Sequence, residues 1–390
     1  MNYVFTSRSK QITYLLMGIG VIAIVMGFTD DAHRAWANLL ASNFFFMALS
    51  LFGLFFIAMQ YLSQAGYGVV MKRIPEAMSQ YIYVAGPLML LILVFGHHDL
   101  YHWTHHDLHD PASEHYDKIV ANKGAYLNLP FFYIRAVIYI SGWIWAARTL
   151  RKLSLQQDLN GGLLFHKKSI TASVAFIVFF AITICTSSWD WLMSIDVHWF
   201  STLYGWYVFV GLWVSGTVFL VMTLLYLKSK GYMQKVNNSH MHDVGKWMFA
   251  ISMVWSYLWL SQFLLIWYAN IPEEVAYFQF RIEHYKVIYF GMLMVNFFLP
   301  FFILMSSDSK KNPKFLIFVG ILIFLGHWTD VFVMVMPGTV GEHWHFGFVE
   351  IGTFLGFLGL FLYVFQRSLA KASLEIENHP YLDESVHLHY

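Results

Sequence analysis

Ten stretches of about twenty residues nearly free of charge recur along this chain, and a bilayer core of ~30 Å needs about 20 apolar residues per crossing helix. They lie near 11–28, 37–63, 78–97, 127–148, 169–193, 199–227, 246–269, 286–306, 314–337 and 346–366. The pattern predicts an all-α integral membrane protein with ten transmembrane helices. Charged residues are 12% of the 390 and apolar ones 58%, whereas a soluble domain carries about 25% charge. So few charges cannot cover a water-facing surface. That excludes a soluble enzyme, a disordered chain and a nucleic-acid binder. The 15 Trp and 23 Tyr suit a lipid–water boundary. Arg8 and Lys10 precede the first stretch as in a signal peptide. Thr29, Asp30 and Asp31 follow it in place of a small-residue cleavage site, so it reads as a retained helix.

Ten spans put both termini on one side, and the basic residues test that side independently. Eighteen Lys and Arg fall on the terminal face, in segments that include Lys72 and Arg73, Arg148 to Lys168, and Lys228 to Lys246. Five fall opposite: Arg34, Lys118, Lys123, Arg281 and Lys286. Arg135 lies within a span. By the positive-inside rule both termini are cytoplasmic. The reading is one multi-pass membrane domain, 1–366, with an acidic cytoplasmic tail, 367–390. The tetrapeptide Leu-Pro-Phe-Phe at 129–132 and 299–302 is a faint sign of internal duplication.

Ionisable groups inside spans cost about 2.5–3.5 kcal/mol near the bilayer centre, so each needs a reason. They are Arg135, Asp190, His327, Asp330 and Glu350. Depths counted at ~1.5 Å per residue place Arg135 and Glu350 roughly 6–12 Å below the outer edge. Asp190, His327 and Asp330 fall in the outer third, with Asp196, His198 and His343 just above. The inner halves carry almost no buried charge. Taken singly, Asp190 and Glu350 fit an interfacial carboxylate and Arg135 its neutralising partner. Taken together, the shared depth predicts a polar cluster. Within it His327 and Asp330, at i,i+3, share a helix face. A His beside a carboxylate in a semi-apolar site suits proton acceptance from a hydroquinone, so Asp190, His327 and Asp330 are the candidate proton relay or quinol site. Arg135, Glu350, Asp196, His198 and His343 support them.

The stretch 187–209, with Trp189-Asp190-Trp191 and His198-Trp199-Phe200-Ser201-Thr202, resembles the polysulfide-reductase (NrfD-like) membrane subunit family. Within that family the likeness is greatest to a membrane subunit of bacterial alternative complex III. His327-Trp328-Thr329-Asp330 followed by Met336-Pro337-Gly338 is similar to the family's ninth span, and the ten-span plan matches. Val197 departs from the pattern, where relatives carry proline before the His-Trp pair. The resemblance implies two four-helix bundles, about 37–193 and 199–337, with spans 1 and 10 flanking them. It implies a part in quinol oxidation, at a quinol site or in proton translocation, and a bound quinol or quinone, menaquinone or ubiquinone. It also implies extracytoplasmic multihaem cytochrome c and iron–sulfur partners, and a homologous ten-span subunit in the bacterial cytoplasmic membrane. The chain fits that division of labour. Cys185 is its one cysteine, too few for an iron–sulfur cluster or an attached haem.

Other readings stay open. The segment His97 to Asp110 holds His-x3-His and His-x2-His-His spacings sharing His102, as in di-iron membrane hydroxylases and desaturases. No third box follows, and the loop reads as extracytoplasmic, so the expectation is a solvated docking surface without a metal. A two-haem subunit would need four deep histidines, and only His327 qualifies. A transporter would show broken helices with matched Gly/Pro interruptions, and none is apparent. A purely structural, anchoring subunit is the remaining alternative.

Overall fold

The computed structural model describes residues 2–389. Among these residues ten helices are long and apolar enough to cross a membrane: α1 Ser7–Asp30, α2 Ala32–Leu62, α3 Arg73–Leu100, α4 Leu129–Asn160 and α5 Leu164–Ile195, then α6 Tyr204–Ser229, α7 Asn238–Ala269, α8 Lys286–Leu304, α9 Pro313–Thr339 and α10 Phe348–Leu369. Among the described residues there is no strand, only an isolated bridge between Asn2 and Ser373. Each expected span coincides with one helix. Several helices run beyond the apolar stretch, because their ends are set by caps and polar turns and not by hydropathy. Asn237 starts α7 eight residues early through a capping box with His240. Asn312 caps α9 with Pro313 in its first turn, and Asp31 caps α2.

The two Leu-Pro-Phe-Phe segments are not equivalent. Pro130 opens α4, where its missing N–H is harmless, whereas Pro300 lies well inside α8. Just before Pro300, α8 widens into a π-turn, Met294–Phe298. A proline cannot donate the i→i−4 bond to the carbonyl of Asn296, which favours such a local widening. The expected unbroken eighth span is therefore interrupted. α3 is also bent, near Gln80 and Tyr81.

α2 is the axis of the molecule. It is apolar on all sides and almost wholly buried, as a helix enclosed by others must be. It packs against α3, α5, α6, α9 and α10, while α4 joins α3 and α5, and α7 and α8 join α6 and α9. α1 lies outside and meets α10 through small residues. A Cβ on Gly20 would stand 2.3 Å from the Cα of Gly356, so the backbones touch where only glycine fits.

Both chain ends meet at one end of the bundle, here the terminal end. The acidic tail is docked there. Leu374, Ile376, His379 and Ser385 are buried. Gln157 donates to the Asn378 carbonyl at 2.8 Å, and Asn237 donates to that of Leu388 at 2.6 Å. The opposite, far end is covered by residues 101–128 and by a connecting helix, Pro272–His284. The His-rich segment is partly anchored, with Trp103 and Leu108 buried and Tyr101 donating to the Trp191 carbonyl at 3.0 Å.

Candidate functional site

The carboxylates picked out by depth do not form one cluster. Among the described residues, no hydrogen bond or ion pair joins Asp190, Asp330 and Glu350. Each has its own partners. Asp190, fully buried on α5, receives Arg135 of α4 through two bonds of 2.8 and 2.9 Å, with Tyr139 Oη adding a third at 3.1 Å. Arg135 also donates to the Tyr126 carbonyl and lies against the rings of Tyr126 and Phe131. Glu350 is equally closed. Arg34 reaches it at 2.7 and 2.8 Å, Asn38 donates at 3.1 Å, and the Gly347 N–H donates at 2.8 Å. Arg34, counted in the sequence among the five basic residues opposite the terminal face, belongs to the first turn of α2 and is buried. These fork-to-fork pairs hold Asp190 with three donors and Glu350 with four, each including a bidentate guanidinium that favours the ionised carboxylate.

His327 and Asp330 on α9 differ. The His327 Nδ1 to Asp330 Oδ2 distance is 3.8 Å, too long for a direct hydrogen bond. Asp330 instead accepts from Tyr207 Oη of α6 at 2.5 Å and from Trp255 Nε1 of α7 at 3.1 Å. The Trp255 ring meets the His327 ring edge to face, with centroids 5.2 Å apart. Both His327 ring nitrogens are buried without a hydrogen-bond partner. Asn296, turned inward by the π-turn, is likewise buried with neither amide atom bonded, and it abuts Gly326, the residue before His327. A cavity of about 30 Å³ lies against Asp330, lined also by Tyr207, Trp259, Gln262, Tyr289 and Arg281. Orphan groups of this kind are the usual seats of ordered water. Tyr207 and Trp255 had no sequence signal of their own.

Asp196, His198 and His343 stand at the far end, but only two of them border a common space. Asp196 pairs with Arg281 at 2.9 Å, and His198 pairs with Asp117 at 3.0 Å. Both line an open cavity of about 360 Å³ with His102, Glu273, Tyr277 and Arg281. His343 is exposed in the 340–347 connection and is not among that cavity's lining residues. Burial, with His105 and His198 nearby, lowers the proton affinity of His102.

The terminal end overturns the expectation of an uncharged inner half. Glu76, Arg73 and Lys72 are buried at the start of α3. Arg73 and Arg151 each reach Glu76 at 2.6 Å, Lys72 lies 3.6 Å away, and Ser154 donates to it. Arg73 also pairs with Asp158. Sequence reading assigned Lys72, Arg73 and Arg151 to basic connections and overlooked Glu76. The signal available was a Glu three residues after an Arg, at helical spacing.

The His-rich segment folds on itself. His98 and His105 stack with centroids 4.2 Å apart, and His109 bonds the Trp103 carbonyl at 2.9 Å. Among the described residues, no three His, Cys, Asp or Glu side chains converge as metal ligands. No protein-family model matches the chain, and none of the curated proteins matches it.

Proposed function

We propose that the chain is a proton-handling membrane subunit of a quinol-oxidising respiratory complex of the alternative complex III kind. In this reading the electrons travel through multihaem cytochrome c and iron–sulfur partners, beside a homologous ten-span subunit. Its support is the resemblance of 187–209 and 327–338 to the NrfD-like family, together with a single cysteine, too few for a Cys-ligated iron–sulfur cluster or a Cys-attached haem in this chain. The reading includes spans 2–5 and 6–9 as two four-helix bundles. It places both termini in the cytoplasm of a bacterial cell, for which the eighteen-to-five distribution of Lys and Arg is the support.

The single observation that carries the function is the His327–Asp330 pair. A relay group needs a lone pair or proton not already committed. His327 offers two uncommitted ring nitrogens, and the Tyr207 hydroxyl can donate to Asp330 or accept from it, serving either protonation state. The adjoining cavity of about 30 Å³ suits one or two waters and not a quinol ring. This site is thus assigned the proton rather than the quinol, whether menaquinol or ubiquinol. Arg135–Asp190 and Arg34–Glu350 are assigned to architecture.

The test is His327→Ala and Asp330→Asn in the assembled complex, measuring quinol oxidation and proton release together. Loss of the release beyond the two protons that each quinol itself yields, with oxidation retained, is expected. Loss of both would move a quinol site here, and survival of both would leave the pair structural. The second reading, an anchoring subunit only, draws on the closed geometry of the other ion pairs, and that last outcome favours it.

A further inference from the structure

Two cavities separate Asp330 from the water at the far end, and they share a wall. The inner one, about 30 Å³, contains Asp330, Tyr207, Trp259 and Tyr289 in its lining. The outer one, about 360 Å³, is open and contains Asp196, His198 and Glu273. Tyr277 and Arg281 line both. Both belong to the connecting helix Pro272–His284, which folds over the far end with Arg281 only 1% exposed. The guanidinium donates to Asp196 at 2.9 Å, to the Tyr277 carbonyl at 3.1 Å and to the Val333 carbonyl at 3.3 Å, and it lies 3.3 Å from the Tyr277 ring centre. On the inner side, Tyr289 Oη and Trp259 Nε1 are buried without a hydrogen-bond partner and line the water-sized space.

We propose that Arg281 is the electrostatic seal of a proton exit running from Asp330 through the inner cavity to Asp196 and the outer cavity. The inference rests on the relay reading and adds the element that stops protons returning. A cation in a narrow passage repels hydronium, as positive residues do in water-selective pores, unless it swings aside as the proton passes. Outward transfer is then a sequence of proton hops with no electron moved. Protonated Asp330 gives its proton to water in the inner cavity, that water passes one to the Asp196 carboxylate, and Asp196 loses it to water outside. While Asp196 carries the proton it no longer holds Arg281 as an ion pair. The newly anionic Asp330 attracts the guanidinium across the inner cavity, so the cation follows each proton and blocks its return. A merely structural arginine would need no second carboxylate on the inner side.

Passive proton leak reads this directly. The intact complex is reconstituted in vesicles holding a pH-sensitive dye, and influx is driven by a potassium diffusion potential without quinol. Arg281→Gln is expected to raise the leak by roughly tenfold, and Arg281→Lys to restore most of the tightness. Combining Arg281→Gln with Asp330→Asn is expected to close the leak again, because the route passes Asp330. An Arg281→Gln complex as tight as the unaltered one overturns the seal. A leak that persists in the combined variant overturns the route. Should Arg281→Gln fail to assemble, Arg281→Met removes the same charge, leaves both carboxylates of the route in place and fills the buried space with an apolar chain. A similar rise in leak is then expected, and no rise overturns the seal. The leak needs no turnover, so its failure is distinct from failure of the relay reading, which the His327→Ala turnover measurement decides.

Discussion

At the terminal end, Glu76 is met by three cations, Lys72, Arg73 and Arg151, and by the Ser154 hydroxyl. Deep in α9, Asp330 is met by two neutral donors, Tyr207 and Trp255, and by a histidine 3.8 Å away. Both carboxylates are buried. The first arrangement commits every charge to a partner and ties the start of α3 to α4. The second leaves a tyrosine free to reverse its hydrogen bond and a histidine with neither nitrogen engaged. A buried charge in this fold is thus of two kinds, and the kind is set by whether its neighbours are charged or merely polar. Arg135–Asp190 and Arg34–Glu350 belong with the first, although their residues looked in sequence like members of the second.

The largest effect that tests this division is at Glu76. Removing it leaves Lys72 and Arg151 without their carboxylate and Arg73 with Asp158 alone, and breaking a buried ion pair costs about 3–5 kcal/mol, comparable with much of a domain's net stability. Glu76→Ala is expected to abolish recovery of folded protein, read by size-exclusion of detergent-solubilised membranes. Normal yield and melting temperature would show the cluster to be dispensable and the comparison misplaced. Next comes Arg135→Met, expected to destabilise by about 3 kcal/mol because Asp190 loses its cation. Adding Asp190→Leu is expected to recover most of that loss, since an apolar pair of similar volume commonly replaces a buried ion pair at little cost. Failure of the double variant to recover would mean that Asp190 does more than hold α4 to α5.

How much of this was legible depended on whether the determinant was local. The ten spans were readable because apolar length is a property of one segment, and the i,i+3 pairing of His327 with Asp330 needs only one helix. The pairing of Arg135 with one of two carboxylates was anticipated, but the choice of Asp190 depends on which helices touch. Arg34 entered the sequence reading only as one of five basic residues opposite the terminal face; the packing of α10 against α2 brings Glu350 to it. Tyr207 and Trp255 could not be singled out among 23 Tyr and 15 Trp, because their role is fixed by α6 and α7 facing α9. Asn296 had one faint marker, Pro300 four residues later, whose missing N–H releases the Asn296 carbonyl. The buried cluster at Glu76 was missed because Lys and Arg at a span end were read only as topology signals.

A smaller effect concerns the docked tail. His379 sits against His166, Tyr61 and Tyr381, near Lys72 and Glu76, and burial followed by the charges of Lys72 and His166 pushes its pKa down to about 3. Released from the bundle it returns to the ordinary 6.5. The released tail therefore binds the extra proton. Docking is fully favoured above about pH 6.5 and weakens as the pH falls toward 3, by at most about 1.4 kcal/mol per unit. Limited proteolysis after residue 370 is expected to quicken between pH 7.5 and 5.5, and His379→Phe to flatten the dependence. An unaltered profile in His379→Phe would assign any acid sensitivity to other groups, such as His166.

The smallest effect on stability, and the sharpest on the comparison, is expected at His327. A buried polar side chain normally contributes through its hydrogen bonds, and losing one costs about 0.5–1.5 kcal/mol. Neither His327 nitrogen bonds another protein group, and its ring contact is an edge-to-face one with Trp255. His327→Gln keeps a polar group in a similar volume but cannot take up a proton near neutral pH. Its melting temperature should fall by no more than the equivalent of about 1 kcal/mol, whereas any proton release beyond the two protons that each quinol itself gives up should be lost. Glu76 variants should show the opposite pattern, a large loss of folded protein and, in any fraction recovered, ordinary turnover. If His327→Gln unfolds the protein as readily as Glu76→Ala does, the ring is a packing element. The distinction between committed and uncommitted buried charge would then fail at the place where the function was drawn from it.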